Sequence, residues 1–362
     1  MSSSRFCRTS KVRRMLRYAQ VCAFRAFGLL WAARWYVRRH GAVVLTLHRV
    51  LPESELERSG SLPGMVIGET TFAALLEYLT RHCEVIPLTI DPAAKRRTPS
   101  RVPVAITFDD GWRYTFTTAL PLLERYKAPC TVFVCSGLAG RTRPFWPERV
   151  ASLWAAAHAA GNGGSAVTAL LPGSERGLEA AIECLKRFDP ARRERLLERF
   201  EAAASAKGIC LKQDTADSSM DWEDVRSMAL AGVAIGSHTS SHKILTRIPP
   251  AEVMEEVTES RRVLQEKLNK CCDLFSYPNG DWSEEVKHSV ARAGYRLAFT
   301  TAPGIWSAEA DTLLIPRINI SEAWVTGPSG RFSRAMCEYR LFWTAAWAHF
   351  RAGSRQNRAG KP

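Results

Sequence analysis

Two short polar motifs, each closing an apolar run, constrain the fold of this chain most. Residues 107–111 read Thr-Phe-Asp-Asp-Gly after an apolar, β-branched run, and residues 237–242 read Ser-His-Thr-Ser-Ser-His after a second apolar run. Apolar runs followed by polar turn residues predict buried strands that end at the motif. Because the carboxyl ends of parallel strands meet at one face of an α/β fold, we expect both motifs to share one mouth of a sheet or barrel.

The side chains of these motifs are suited to a metal site. One carboxylate together with the imidazoles of His238 and His242 forms the three-ligand set of a catalytic zinc-type centre, with one position left for water. Asp109 and Asp110 cannot point equally well at one ion, because strand side chains alternate in direction. One ligand and one general base is therefore the natural division, and metal-assisted hydrolysis is the predicted chemistry.

Each motif also has a simpler interpretation when it is taken alone. An Asp-Asp-Gly sequence is typical of an ordinary turn, and a pair of histidines four residues apart also occurs outside metal sites. The presence of both motifs after buried-strand patterns favours the functional interpretation.

The order of the motifs resembles that of the polysaccharide deacetylase (NodB homology) family. After the two motifs above, residues 275–280 read Phe-Ser-Tyr-Pro-Asn-Gly and residues 314–318 read Leu-Ile-Pro-Arg-Ile. The resemblance covers roughly residues 42–322. It implies an α/β fold, a distorted (β/α) barrel of about seven strands, and hydrolysis of an N-acetyl or O-acetyl group from a sugar.

The same resemblance implies roles for the motif residues. Asp110, His238 and His242 would bind the metal, and Asp109 would be the general base. A backbone N–H near Tyr277, together with the metal, would stabilise the oxyanion. Zn²⁺ is the expected ion, with Ni²⁺, Co²⁺ and Fe²⁺ as alternatives for the same ligands.

Two departures from the family pattern lead to further predictions. Many members have an arginine where this chain has Ser276, and we expect Arg317 to replace it as the partner of Asp109; a surface arginine at a strand end is the alternative. The late Leu-x-His motif is also absent. In this respect the chain resembles the circularly permuted branch that includes exopolysaccharide N-deacetylases, which makes His48, at the end of the first strand, the expected proton donor; a structural histidine is the alternative.

Other functions stay open at this point. The same barrel could act as a deformylase or amidohydrolase on another carbohydrate, or as a carbohydrate-binding barrel that has lost catalysis. Two acids and two histidines argue against the binding barrel, because binding alone does not need all four. A nucleic-acid partner is not expected, since no binding motif is visible. The expected substrate is an acetylated polysaccharide or lipid-linked glycan.

The positive charge lies at the two ends of the chain. Of the net charge of +14, residues 1–40 contribute +10 and residues 331–362 contribute +6, which leaves −2 for residues 41–330. Both ends mix arginine with large apolar residues, a pattern typical of helices in the interface of an anionic membrane. Packing of amphipathic helices on the barrel is the alternative. The longest uncharged stretch of the first segment, residues 26–33, is too short to span a bilayer.

The predicted organisation follows from charge and motif spacing. We expect a basic amphipathic segment over residues 1–40, the barrel over residues 41–330 and a basic aromatic tail over residues 331–362. The first and second motifs are much further apart than one crossover requires. A helical insertion is therefore predicted at about residues 141–219, with aromatic residues at its start that would stack on a sugar or anchor the insertion.

Cysteine usage predicts the compartment. The ten cysteines are scattered and form no Cys-x-x-Cys motif, which is typical of buried free thiols in a reducing environment. The expected location is the cytoplasm, with a peripheral position on the cytoplasmic face of the inner membrane suggested by the basic ends.

Overall fold

A computed structural model of the chain describes residues 3–56, 59–88, 100–141, 145–209 and 218–359. Short, mostly parallel strands form its centre. They are β1 (Val43–Leu47), β2 (Arg49–Leu51), β3 (Val66–Gly68), β4 (Cys83–Val85), β5 (Val102–Phe108), β6 (Cys130–Val134), β7 (Ala234–Ser237), β8 (Leu274–Ser276), β9 (Leu297–Phe299) and β10 (Ile318–Asn319).

Helices precede, separate and follow these strands. They are α1 (Ser3–Ala26), α2 (Leu29–His40), α3 (Glu53–Leu56), α4 (Glu69–His82), α5 (Leu120–Arg125), α6 (Trp146–Ala159), α7 (Asn162–Thr168), α8 (Leu178–Lys186), α9 (Pro190–Ser205), α10 (Trp222–Leu230), α11 (Pro250–Leu268), α12 (Glu284–Arg292), α13 (Glu322–Val325), α14 (Arg334–Glu338) and α15 (Thr344–Ala359). A π-helical turn, Tyr339–Trp343, joins α14 to α15.

The main sheet is parallel and curved. Seven of its strands follow the order β10-β1-β5-β6-β7-β8-β9, and β4 pairs with β5 beside this path. Beyond β9, a parallel bridge joins Phe299 to Ile315, shortly before the chain enters β10. The sheet therefore curls into a half-barrel flanked by helices, which confirms the predicted distorted (β/α) barrel of about seven strands.

Side chains of the central strands alternate between two buried faces. Every residue of β5 is buried. Val104 and Phe108 point outward into the core shared with the helices, whereas Ala105 belongs to the apolar cluster inside the barrel. Thr107 and Asp109 have the same parity as Ala105, so they continue the inner face above this apolar floor. Strand alternation thus brings polar groups to the mouth of the barrel.

Helices α6–α9 lie in the chain between β6 and β7 and have a hydrophobic cluster of their own, which includes Leu153 and Phe200. The buried Arg149 pairs with Glu194 at 2.9 Å and with Glu201 at 2.6 Å, which ties α6 to α9. The predicted insertion boundaries fall close to gaps in the described residues, at 142–144 and 210–217, and they remain a prediction.

The two ends of the chain pack together. Val21 of α1 and Leu30 of α2 form a buried cluster with Ala335 and Met336 of α14. Val37 of α2 is fully buried in the main core. The inner faces of these helices therefore pack on the rest of the protein, as the alternative of amphipathic helices packed on the barrel predicts. Among the described helices, none combines the length and hydropathy needed to cross a membrane.

Candidate active site

The ends of three strands of the main sheet converge on one cavity. His48 follows β1, Asp109 follows β5 and His238 follows β7. The backbone N–H of Asp109 donates to the Leu47 carbonyl at 3.0 Å, which holds the ends of β1 and β5 side by side. Together with Asp110 and His242, these side chains line a cavity of about 250 Å³.

Asp109 forms a bidentate pair with Arg317, the two-residue arrangement expected from the sequence. The guanidinium donates from Nη1 to Oδ1 at 2.8 Å and from Nη2 to Oδ2 at 2.7 Å. Both residues are buried, with Arg317 fully shielded from solvent. Burial alone would raise the pKa of Asp109, but the charge of Arg317 outweighs it and lowers that pKa. A bidentate pair fixes both the charge and the orientation of the carboxylate.

Further contacts hold Arg317 in place. Its Nε donates to the Thr300 carbonyl at 2.9 Å, Nη1 also donates to Thr107 Oγ1 at 3.1 Å, and Nη2 also donates to Ser276 Oγ at 2.8 Å. Ser276 Oγ is in turn 3.3 Å from Asp109 Oδ2. Ser276, which replaces the family arginine, therefore leaves room for a guanidinium from another strand and bonds to it.

The backbone explains how two adjacent carboxylates reach different partners. Asp110 has φ = 72°, in the left-handed region, and Gly111 follows with φ = 73°. An L-residue with a side chain rarely adopts this conformation, and such residues are common at functional sites. The turn sends Asp110 towards the two histidines, while Asp109 stays on the inner face of β5 and meets Arg317.

Asp110, His238 and His242 have the arrangement of a metal site. Their potential ligand atoms all lie within 4.8 Å of one another. Asp110 Oδ1 is 3.4 Å from His238 Nε2 and 3.2 Å from His242 Nε2. This oxygen is buried and has no hydrogen-bond partner among the described residues. A buried carboxylate oxygen without a donor is costly, and a divalent ion between the three groups would satisfy it. The residues thus fit the metal that the family pattern implies.

The remaining atoms of this group orient it. Asp110 Oδ2 accepts a hydrogen bond from the indole N–H of Trp112 at 3.1 Å. His238 Nδ1 lies 2.7 Å from the Ser276 carbonyl, which can only accept, so Nδ1 carries a proton, and in the neutral imidazole the lone pair of Nε2 is available to a metal. Burial alone would raise the pKa of Asp110, and the two neighbouring imidazoles hold it well below its usual value.

A buried glutamate on α11 holds the histidine loop. Glu256 accepts hydrogen bonds from the backbone N–H groups of Ser240 at 3.0 Å and Ser241 at 2.9 Å. Thr239 and His242 flank these donors and both have positive φ, 67° and 58°. The glutamate therefore stabilises the two exposed N–H groups of a strained loop that carries a candidate ligand. The sequence pattern did not single out Glu256, which reads as part of an ordinary helix.

His48 lies at the mouth beside both carboxylates. Burial lowers its pKa, and the charges of Asp110 and Asp109 oppose that effect. Its Nδ1 has no hydrogen-bond partner among the described residues. The residue thus shares the cavity with Asp109, as the first-strand prediction requires, and its role in proton transfer stays a prediction.

Tyr277 begins the loop from which an oxyanion donor is expected. Its backbone N–H donates to the Phe299 carbonyl at 3.0 Å, and its phenol donates to the Leu313 carbonyl at 3.0 Å. Of the loop that follows it, Asn279 lines the cavity. The amide of Tyr277 is therefore engaged in backbone pairing, and its oxyanion role stays a prediction.

Helices α6 and α8 complete the cavity wall. Trp146, Ile182 and Lys186 line it from these helices, and Phe145 lies directly before them. The Phe145 ring centre is 5.1 Å from that of His242 and 5.0 Å from that of Trp112. Phe145 therefore packs against the histidine loop, whereas Trp146 is the more accessible of the two aromatic residues.

A buried ion pair connects this wall to the barrel. Arg49 Nη1, directly after His48, is 2.6 Å from Glu148 Oε1 of α6, and the guanidinium lies over the ring of Trp112 at 4.6 Å. Because both partners are shielded from solvent, separating them would be costly. The pair couples the position of α6 to the strand end that carries His48.

Known protein families and curated proteins include sequences similar to this chain. The family model for polysaccharide deacetylase matches residues 96–183 and 195–298, which is more than half of the chain. The curated protein YxkH from Bacillus subtilis (strain 168) is 26% identical over 114 residues, which are 32% of this chain and 41% of YxkH. The chain thus spans less than half the length of this curated relative.

Solved structures with a similar fold include three bacterial enzymes. The Streptococcus pyogenes deacetylase PplD, solved with acetate, has a TM-score of 0.52 at 18% identity over 80% of this chain and 96% of PplD. IcaB from Ammonifex degensii has a TM-score of 0.51 at 20% identity over 78% and 92%. A de-N-acetylase from Aggregatibacter actinomycetemcomitans has a TM-score of 0.52 at 14% identity over 83% and 99%.

The structural similarity to these proteins shows the fold, while the match to the family model shows membership of the family. That match contains both motifs of the candidate metal site, and His48 and Arg317 lie outside it. The chain belongs to the polysaccharide deacetylase family.

Proposed function

We propose that this protein is a metal-dependent carbohydrate deacetylase that removes an acetyl group, with an N-acetyl group as the first candidate, from a polysaccharide or lipid-linked glycan. The observation that carries the proposal is the placement of Asp110, His238 and His242 beside the Arg317-paired Asp109 in one cavity. One group of side chains suits a metal and the other suits a base, and both open onto the same space.

Asp110 Oδ1 and the Nε2 atoms of His238 and His242 would hold the ion. Zn²⁺ suits one carboxylate and two imidazoles, and Ni²⁺, Co²⁺ or Fe²⁺ would accept the same ligands. When bound, a divalent ion lowers the pKa of a water molecule and polarises a carbonyl oxygen. The proton on His238 Nδ1, held by the Ser276 carbonyl, keeps Nε2 available for this purpose.

Asp109 would remove the proton from the attacking water. Arg317 keeps the carboxylate ionised, since it lowers its pKa, and fixes both oxygens by two hydrogen bonds. A base with a lowered pKa is weak in isolation, so its contribution rests on position as well as basicity. Arg317 would act as a positioning residue that does not touch the substrate.

His48 would protonate the leaving amine, which is too basic to depart as an anion. Its place beside Asp109 and Asp110 in the cavity supports this role. For the oxyanion we propose a donor from the loop that begins at Tyr277. The Tyr277 N–H is already bonded to the Phe299 carbonyl, whereas Asn279 of the same loop borders the cavity.

We further propose that the enzyme acts in the cytoplasm. The eight cysteines whose side chains the structure describes are free, and burial raises the pKa of Cys83 and Cys130 to about 12, which keeps these thiols protonated and unreactive. A peripheral position on the inner membrane would require a lipid-binding surface away from the cavity.

The test is a comparison of glycans from cells that produce the wild-type protein, the D109N variant or no protein. Mass spectrometry of lipid-linked and polymeric glycans should show the loss of one acetyl group per modified sugar only with the wild type. Purified wild-type protein should then release acetate from the accumulated glycan. Identical glycan masses in all three strains would refute deacetylation, and loss of formate in place of acetate would favour the deformylase alternative.

A further inference from the structure

One turn of helix α1, residues 14–17, directs its arginines towards the protein and its apolar side chains towards solvent. Arg14 turns towards the protein, where Nη2 donates to the Gly327 carbonyl at 2.6 Å and to Thr326 Oγ1 at 2.9 Å. Arg17 also turns inward, since Nη2 donates to the Ala323 carbonyl at 2.5 Å. On the opposite side, Met15 is 60% and Leu16 is 65% exposed. A helix on a soluble protein normally directs its apolar side chains inward and its arginines to water.

Helix α2 continues this outward apolar surface. Phe27, just before the helix, is 80% exposed, and Trp31, four residues later, is 72% exposed. Trp35 follows after four more residues and is 39% exposed. The spacing of four places Trp31 and Trp35 on one face of α2, and Phe27 is exposed in the turn before it. The other face is buried through Leu30 and Val37, so packing on the protein leaves these aromatics outside.

Helix α15 lies beside α2 and adds to the surface. The His349 ring centre is 6.1 Å from that of Tyr36 and 5.9 Å from that of His40, which places the two helices next to each other. Trp347 and Phe350 of α15 are 52% and 61% exposed. Several exposed apolar side chains of this size, grouped on helices that pack together, are uncommon on a soluble monomer and mark interaction sites.

The charges around these side chains are positive. Residues 1–40 carry +10 without an acidic residue, and residues 331–362 carry +6. Arg25 and Arg39 are exposed between the apolar residues. Basic side chains beside tryptophan and phenylalanine are typical of segments that lie in the headgroup region of an anionic bilayer. A second copy of the chain would bring two strongly positive segments together, which opposes self-association.

We infer that the terminal apolar face, formed by Met15, Leu16, Phe27, Trp31, Trp347 and Phe350, docks the protein on the surface of an anionic lipid bilayer. The helices lie along the surface, with the apolar side chains in the headgroup and upper acyl region and the exposed arginines at the phosphates. The inward Arg14 and Arg17 donate to the carbonyls of Gly327 and Ala323, in and just after α13, and so attach α1 to the rest of the protein. The face belongs to the folded protein and does not depend on a flexible tail.

The experiment is cosedimentation of the full chain with vesicles of phosphatidylcholine alone or with added phosphatidylglycerol. The wild type should bind the anionic vesicles, and the triple variant F27S/W31S/W347S should bind at least tenfold less. A matched control replaces three other exposed apolar residues, L170S/L230S/W282S, which are 43%, 87% and 41% exposed. Both variants keep the wild-type charge, so a difference between them isolates the apolar contribution. Point substitutions are preferable to deletion of residues 1–40, because Val37 is part of the main core.

A second variant, R25E/R39E, tests the charge. It should lose the preference for anionic vesicles, and binding of the wild type should weaken as salt is raised. The proposal is wrong if the wild type does not bind, or if the triple variant binds as well as the control. It is also wrong if analytical ultracentrifugation without lipid shows a dimer that F27S/W31S/W347S converts to a monomer, since a second copy would then cover the face. Melting temperatures of all variants should match that of the wild type, because the substituted side chains are largely exposed.

Discussion

The candidate active site and the terminal apolar face place polar groups inward for different reasons. At the site, Asp109 and Asp110 turn into the barrel and are held by Arg317 and by the histidines. In α1, Arg14 also turns inward, but its partners are the Gly327 carbonyl and the Thr326 hydroxyl, and Met15 and Leu16 are left in contact with solvent. At the site, the buried polar groups bind each other. In α1, the inward arginines attach the helix to the protein, and its outer apolar side chains stay exposed. The first arrangement suits chemistry and the second suits docking.

The largest expected effect comes from breaking the ligand group. We expect H238A and H242A each to lose bound divalent metal and hydrolysis, because two ligands hold an ion far less tightly than three. Metal content is measured by mass spectrometry on purified protein, and activity by acetate release. H158A is the matched control, since His158 is exposed on α6 and packs only on Trp154. Removal of metal by a chelator should reproduce the activity loss. Equal metal content in wild type, H238A and H242A would refute the assignment.

The next effect separates the base from the ligand. D109N should keep the metal and lose about 10³-fold in turnover, within the usual range for a general base. D110N should instead weaken metal binding, because it removes a ligand charge. D109N also leaves Arg317 buried without its carboxylate, so a loss of about 3–5 kcal/mol in the free energy of unfolding should accompany it. If D109N is the variant that loses metal, the two roles are reversed or shared.

A third expected effect concerns His48. H48A should retain metal and lose about 100-fold in turnover on an amide substrate, as expected for a general acid. On an activated ester, whose leaving group needs no proton, the loss should be much smaller. The measurement is the ratio of turnover on the two substrates for H48A and wild type. An equal loss on both would mean that His48 positions the substrate or supports the strand.

A smaller effect should come from the support of the histidine loop. E256Q removes the charge that accepts two backbone hydrogen bonds, and we expect metal affinity to fall about 10–100-fold, the usual scale for residues behind the ligands. E255Q is the matched control, because Glu255 is the exposed neighbour on the same helix. Metal titration and thermal unfolding are both measured. If both variants bind metal like the wild type, Glu256 does not affect the metal affinity of the site.

The smallest effect on the site should come from the terminal helices. L30A should cost about 2–5 kcal/mol in the free energy of unfolding, because Leu30 is buried in the cluster between α1, α2 and α14. Metal affinity of the folded protein should be unchanged, since the cluster does not touch the cavity. Chemical denaturation and metal titration are the two measurements. A parallel loss of metal affinity would show that the two regions are coupled.

The sequence motifs were sufficient to predict most of the polar side chains that meet at the mouth of the barrel. Buried-strand patterns ending in Asp-Asp-Gly and Ser-His predicted that these groups would meet, because strand ends in parallel sheets share a face. The inner positions of His48 and Asp109 also follow from the two-residue period of their strands. Glu256 could not be found in this way, because a glutamate in an amphipathic helix normally faces solvent, and only packing against the histidine loop gives it a different environment.

By itself, the sequence determined the residues that can do chemistry and the strands that carry them, because composition, spacing and alternation are local properties. The resemblance suggested Arg317 as the partner of Asp109, and tertiary structure decided between this pair and a surface arginine, because the two residues lie far apart in the chain and meet only when the sheet curls. It also decided that the Tyr277 amide pairs with Phe299 and that α1 turns its arginines inward. Such choices depend on which buried donors and acceptors lie close together in space, and that is set by the packing of the whole chain.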